Sequence, residues 1–217
     1  MRSPSCCRAA ALLLLMAAAT AGAAQATEYT LDPLRSTLLL RVWKEGSASA
    51  FAHDHVIRAA RFTGTVRYDA SKPQASAVEV EAEAKDLVAD DPTYRRRFGL
   101  PLINEQSRRE IQRTMTSDKQ LDVKAFPAIT FRSTRVSAGN GSALEVTGAL
   151  TIHGQTREIT FPATVDVVQG LLRGRATLRF RQSDFGITPY SFANAVRNKD
   201  EVEMHLELIA APGAPSR

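Results

Sequence analysis

Apolar and polar residues alternate along most of the chain, and this pattern constrains the fold more than any other feature of the sequence. In RFTGTVRY, the residues Phe62, Gly64, Val66 and Tyr68 share one face, and AVEVEAEA alternates in the same way from Ala77. Alternation of this kind is typical of a β-strand with one buried and one exposed face. Together with STLLLRVW near the start, about eight such strands follow one another.

Only one segment has a helical pattern, SRREIQRTMTSDK from Ser107 to Lys119. Ser107 and Glu110 have capping-box spacing, and Ile111 and Met115 lie one turn apart. Parallel strands need a crossover connection between each pair, so a single helix predicts an antiparallel sheet. The sequence therefore predicts an all-β domain, with eight antiparallel strands and one short α-helix, closed as a barrel or stacked as a sandwich.

Two segments interrupt the alternation. Residues 85–104 contain Pro92 and Pro101, and a connection of this length in a compact domain is typical of a lid or a disordered segment. The C-terminal APGAPSR, residues 211–217, is predicted to be a disordered tail.

The N-terminus, residues 1–26, has the pattern of a secretory signal peptide. A basic start precedes an apolar run from Ala9 to Ala19, and small residues follow, which predicts cleavage after Ala26. Export, most simply to a bacterial periplasm, is the expectation. Cys6 and Cys7 are the only cysteines, so the mature chain has no disulfide.

The charge of the chain argues against a nucleic-acid partner. There are 28 Lys and Arg against 23 Asp and Glu, a formal charge of +5; removing Arg2 and Arg8 with the signal leaves 26 against 23, or +3. The sequence has no basic stripe, and few aromatic residues that could stack on bases.

Two late strands carry opposite charges on their outward faces, and pairing between them predicts cross-strand ladders on a solvated surface. His205 shares the outward phase and is therefore not a predicted site residue. The residues concerned are Arg173, Arg175, Arg179 and Arg181 on one strand and Glu201, Glu203 and Glu207 on the other.

Four segments in sequence resemble the YceI-like, polyisoprenoid-binding family. They are YTLDP with Ser36, LDVKAFPAITFRS from Leu121, VTGALTIHGQTREIT from Val146, and SDFGI from Ser183. The resemblance implies an exported, eight-stranded, lipocalin-like barrel over residues 27–210 with one helix laid across it. It also implies a carrier or store of long isoprenoid chains, including quinone-type lipids, without catalytic machinery or any cofactor beyond the bound lipid.

An eight-stranded barrel is either filled by side chains or wide enough for one small ligand, and a narrow isoprenoid chain suits such an interior. The inward-facing residues are therefore candidates for a ligand-binding lining, with the alternative that they are only core. They are Phe62, Val66, Val80, Ile129, Phe131, Phe161, Leu178, Phe180 and Met204.

The segment FAHDHVI carries the remaining candidates, His53 and His55, which on a strand would share one face with Asp54 opposite. Three roles are open. The pair forms a structural network at the barrel end with Asp54 orienting one imidazole, contacts a ligand headgroup such as a quinone carbonyl, or binds a metal. A metal would need further ligands, from His153 and from Asp54 or Asp184.

Catalysis is poorly supported, because no cysteine survives maturation and no G-x-S-x-G motif presents a serine. The sequence therefore predicts a non-enzymatic exported protein that carries or stores a polyisoprenoid or quinone-like amphiphile, with a metal-binding protein using His53 and His55 as the alternative. The expected partner is a hydrophobic small molecule or lipid. Homodimer formation and transient membrane contact stay open.

Overall fold

The computed structural model describes residues 26–193 and 195–213, which form one antiparallel sheet with two helices packed on it. The predicted signal peptide, apart from Ala26, and residues 214–217 of the predicted tail lie outside this range. The strands are β1 Thr27–Leu31, β2 Thr37–Glu45, β3 His55–Ala59, β4 Phe62–Tyr68, β5 Ala77–Glu83, β6 Leu87–Ala89, β7 Ala128–Ala138, β8 Leu144–Ile152, β9 Gln155–Val168, β10 Leu171–Arg181, β11 Ser191–Phe192 and β12 Val196–Pro212. The helices are α1 Pro92–Arg97 and α2 Glu105–Thr116, with single 3₁₀ turns at Ser49–Phe51, Pro73–Ala75, Ala84–Asp86 and Gln182–Phe185.

Eight strands close into a ring in the order β1, β4, β5, β7, β8, β9, β10, β12 and back to β1, all antiparallel. This confirms the predicted eight-stranded antiparallel barrel. The ring closes where Ala211 pairs with Thr30 and Pro212 with Tyr29. The prediction that a disordered tail begins at residue 211 is therefore wrong, because the last strand needs these residues to meet β1.

β2, β3 and β6 lie outside this ring and form a three-stranded flap, which continues the sheet through the pairing of β2 with β12. β12 pairs with β2 along its first part and with β1 at its end. The buried Ser36 lies at this change of partner, where its hydroxyl donates to Ile209 O at 3.2 Å and accepts from Ile209 N at 2.8 Å.

The barrel splits between β6 and β7, and α2 fills the gap. The side chain of Gln112 donates to Leu87 O and accepts from Ala89 N, both at 2.8 Å, so one carboxamide satisfies the free edge of β6 as a neighbouring strand would. The helix begins after Asn104, whose side chain accepts from Ser107 N at 2.9 Å. Ser107 is therefore the third residue of the helix and not its cap, which corrects the predicted capping box.

Residues 85–104 are neither a lid nor a structureless segment, and the prediction of a single helix is wrong. They contain β6 and α1, which begins at Pro92 with Asp91 as cap, accepting from Thr93 N at 2.9 Å. A helix of about one and a half turns has too few residues for a periodic pattern, so hydrophobic periodicity does not reveal it. Neither described helix is long and apolar enough to cross a membrane.

The predicted charge ladder between β10 and β12 is present. Arg179 lies opposite Glu203 and Arg181 opposite Glu201, and the Arg179 guanidinium lies 2.7 Å from Glu203. His205 lies in the same outward row, 2.8 Å from Glu203.

Close packing at the closed end of the barrel is testable at two glycines. A methyl group at Gly64 would meet the carbonyl oxygen of Glu79 and, at 2.7 Å, the Leu31 side chain. We expect Gly64→Ala to lower the free energy of unfolding by about 1–3 kcal/mol, measured by urea denaturation, because the backbone must move to admit it. Gly174→Ala is the matched control, since the nearest atom to its methyl would be Leu208 Cβ at 3.8 Å. Equal midpoints for the two variants would contradict the packing argument.

Candidate binding cavity

A cavity of about 510 Å³ occupies the split end of the barrel, enclosed by the flap, by α2 and by the inner faces of the remaining strands. Its size lies within the range of about 300–1,000 Å³ that is typical of small-molecule sites. Its apolar walls include Leu40, Val42, Ile57, Ile111, Met115, Leu121, Ile129, Ile152, Phe180 and Met204.

Helix α2 forms the wall of the cavity at the gap between β6 and β7. Ile111 and Met115 are one turn apart and line the cavity together, while Gln112 between them bonds the flap edge. The spacing of Ile111 and Met115 was visible in the sequence, but it indicated only a helix and not the surface the helix would cover.

The structure divides the predicted lining among three places. Ile129, Phe180 and Met204 line the large cavity. Val66, Val80, Phe131 and Phe161 line a second void of about 90 Å³ toward the closed end. Phe62 and Leu178 are buried in the core and line neither space.

His53 and His55 both line the large cavity. His55 is the first residue of β3 and pairs with Val42, a lining residue of β2, while His53 lies in the loop before the strand. The predicted pair of imidazoles on a single strand is thus only half correct, because the strand begins between them.

A buried carboxylate holds His55. Nδ1 of His55 lies 2.7 Å from Oδ2 of Asp90, which is 0 % exposed. The other oxygen of Asp90 accepts from Val56 N at 3.1 Å and from Arg95 at 2.5 Å. Asp90 follows β6 with a φ of 56°, a left-handed conformation that Asp adopts more readily than most residues and that brings its carboxylate to the end of β3.

Arg95 of α1, only 1 % exposed, completes this network. Besides Asp90, its guanidinium donates to Asp54 O and to Pro101 O, both at 2.7 Å. Removal of one partner of a buried ion pair is strongly destabilising, because the other charge stays buried without compensation. The contact of Arg95 with Asp90 therefore fixes α1 to the flap. Sequence reasoning missed Asp90 and Arg95, because their residue types and positions in a polar segment favoured a solvated surface.

Asp54 does not orient an imidazole, which corrects one of the predicted roles. Its carboxylate accepts from Lys44 N at 3.0 Å.

His153 lies at a turn with a φ of 51°, with its Nδ1 3.3 Å from Phe185 O and its ring 4.2 Å from that of Phe126. Across residues 26–193 and 195–213, no three His, Cys, Asp or Glu side chains are grouped so as to hold a metal ion.

The electrostatics of the network follow from burial and from its hydrogen bonds. Burial by itself raises the pKa of Asp90, but the contacts with His55, Val56 N and Arg95 outweigh it and hold that pKa below its ordinary value of 3.8. Burial, followed by the charge of Arg95, lowers the pKa of His53 below 6.5.

Comparison with known proteins assigns the family. The model of the YceI-like domain matches residues 29–210. The chain belongs to the YceI-like family.

Its relatives include a UPF0312 protein of Pseudomonas putida (strain W619), 31 % identical over 175 residues that cover 77 % of this chain and 80 % of the relative. A UPF0312 protein of Vibrio cholerae is 30 % identical over 154 residues, 68 % of this chain and 70 % of the relative.

Two solved structures share the fold of this YceI-like domain. Burkholderia cenocepacia BcnA has a TM-score of 0.63 at 18 % identity, covering 83 % of this chain and 99 % of that one. A Campylobacter jejuni YCEI protein has a TM-score of 0.54 at 16 % identity, covering 73 % and 84 %. The family and the lipocalin-like barrel support a binding protein.

The buried pair predicts a stability effect with a defined pH dependence. We expect Arg95→Met to lower the free energy of unfolding at pH 7 by about 3–5 kcal/mol, because Asp90 stays buried without its cation. Since the folded-state pKa of Asp90 is lowered, its ionised form stabilises the fold above pH 3.8, and this contribution is lost as the pH falls through the folded-state pKa. The difference in the free energy of unfolding between the wild type and Arg95→Met should therefore shrink as the pH falls and Asp90 becomes protonated, because a neutral carboxyl no longer needs the cation. Urea titrations across the acidic range measure this.

Arg96→Met is the matched control, because Arg96 is the next residue of α1 and is exposed. Its unfolding midpoint should stay close to that of the wild type. An equal loss in both variants would show that the helix, and not the ion pair, accounts for the effect.

Proposed function

We propose that this chain is an exported, non-enzymatic protein that carries or stores an amphiphile of the polyisoprenoid or quinone type in the cavity beneath α2. The observation that supports this most is the cavity itself, about 510 Å³, with walls formed mainly by Leu, Ile, Val, Met, Ala and Phe and with polar side chains from the flap, α2 and β12 among them. Such a surface suits a long apolar chain, since each Å² of apolar surface buried contributes roughly 25 cal/mol.

The position of the cavity indicates how a lipid would lie. At the closed end, the interior is filled by side chains apart from a void of about 90 Å³. The tail would therefore occupy the space between the flap and α2 and not the whole length of the barrel. His53 and His55 are among the polar residues of the cavity wall that a polar headgroup could contact.

The arrangement of His55 and Asp90 resembles part of a catalytic triad, but it lacks a nucleophile. In the part of the chain that the structure describes, no hydroxyl or thiol group hydrogen-bonds to His55. A histidine and a carboxylate alone do not provide acyl transfer, which favours a binding role for the pair.

Export is part of the proposal and has a direct test. N-terminal sequencing of the protein from the periplasmic fraction should give Thr27 as the first residue, because cleavage is expected after Ala26. Recovery of the chain from the membrane fraction with its N-terminus intact would contradict export by a cleaved signal.

Ligand binding is tested by organic extraction of protein purified from its native host, followed by mass spectrometry, where an apolar molecule should be found near one per protein. Thr114→Trp should retain less of it, because Thr114 lines the cavity from α2 and an indole ring would take up part of the space. Loss of about 60 Å² of apolar contact weakens binding roughly tenfold.

Arg113→Trp is the control, since Arg113 is exposed on the same helix. It should retain the ligand. If no lipid is extracted from the wild type, and if Thr114→Trp and Arg113→Trp bind added prenyl lipids equally, then the cavity is not the binding site.

A further inference from the structure

We propose that Nε2 of His55 is a hydrogen-bond acceptor fixed in the cavity wall, so that the site selects lipids whose polar end carries an O–H group. This inference rests on the proposed function and goes beyond it, because it specifies the chemistry of the headgroup.

The first step concerns the carboxylate of Asp90. Its Oδ1 accepts from Val56 N and from Arg95, and this leaves Oδ2 for the imidazole at 2.7 Å. An ionised carboxylate only accepts hydrogen bonds. The group facing it, Nδ1 of His55, must therefore be the donor.

The second step concerns the other nitrogen. When Nδ1 of a neutral imidazole carries the proton, Nε2 has a lone pair and accepts. His55 lines the cavity and its Nδ1 is turned to Asp90, so Nε2 lies on another edge of the ring. Among the described residues, no group hydrogen-bonds to it.

The third step is the consequence for ligands. A headgroup with an O–H donor, whether an alcohol or a phenol, would satisfy Nε2, whereas a quinone carbonyl or an ether would place one acceptor against another. An unmade hydrogen bond at a partly buried group costs affinity, and the His55 side chain is 18 % exposed. We expect O–H lipids to bind roughly tenfold more tightly than their acceptor-only counterparts.

Asp90→Asn is the decisive variant. Asn tolerates the left-handed backbone at this position, and its carboxamide oxygen can keep the bonds from Val56 N and Arg95. Its N–H₂ would then face Nδ1 of His55, and the imidazole proton would move to Nε2. The wall would present a donor in place of an acceptor, and both kinds of headgroup could accept from it.

The experiment measures displacement of the fluorescent probe N-phenyl-1-naphthylamine at pH 8, where an ordinary histidine is neutral. Geranylgeraniol and its methyl ether share one tail and differ in the O–H group. A prenylated hydroquinone, kept anaerobic, and its quinone form a second pair that separates phenols from alcohols. The wild type should prefer the O–H member of at least one pair about tenfold, and Asp90→Asn should reduce this to within about twofold.

Asp91→Asn is the matched control and should keep the preference, because Asp91 pairs with Arg58 at 3.2 Å and contacts neither histidine. Equal binding of both members of each pair by the wild type would overturn the headgroup inference and leave the carrier proposal intact. Failure of all four lipids to displace the probe would instead overturn the carrier proposal.

A second measurement covers the case in which Asp90→Asn does not fold. The ¹⁵N shifts of the histidine ring in the wild type at pH 8 report which nitrogen carries the proton. Protonation of Nδ1 in His55 supports the inference, and protonation of Nε2 overturns it.

Discussion

The change of partner along β12 determines the shape of this barrel. One edge of this strand pairs with β10, while the other edge pairs first with β2 and then with β1. Because a strand can hydrogen-bond only one neighbour on each edge at a given residue, the sheet must divide where the partner changes. Ser36 supplies the side-chain hydrogen bonds at that point. The result is a closed end filled by side chains and a split end that holds the cavity.

The split end depends on polar contacts that a fully closed sheet would not need. Gln112 satisfies the free edge of β6, and the Asp90 and Arg95 pair fixes α1 against the outside of the flap. Unpaired backbone groups and unpaired buried charges both cost free energy. The Gln112 side chain therefore takes the place of the backbone hydrogen bonds that a neighbouring strand would make in a fully closed sheet. The carboxylate of Asp90 also orients His55. The stability of the flap and the orientation of an imidazole in the cavity wall therefore both depend on Asp90.

Several features could be predicted because they are local or periodic. Alternation through Phe62, Val66, Val78 and Val80 was sufficient for strands, and the scarcity of crossover helices for their antiparallel arrangement. The outward Arg and Glu residues predicted a pairing that β10 and β12 show. Other features could not. Val80 and Ile129 have the same pattern in sequence, yet one lines the small void and the other the large cavity, because the distinction depends on how far along the barrel axis each residue lies.

By itself, the sequence determined most of the long strands, the position of the main helix and the family with the barrel it implies, since alternation, helical spacing and short motifs are read along the chain. Only the tertiary structure decided that Asp90 and not Asp54 holds His55, that Arg95 is buried, and that the cavity lies under α2. These depend on contacts between residues that are 35 and 41 positions apart, as between His55 and Asp90 and between Arg95 and Asp54. Such contacts form only after the chain has folded, and a polar residue that will be buried has the same appearance in sequence as one that stays in water.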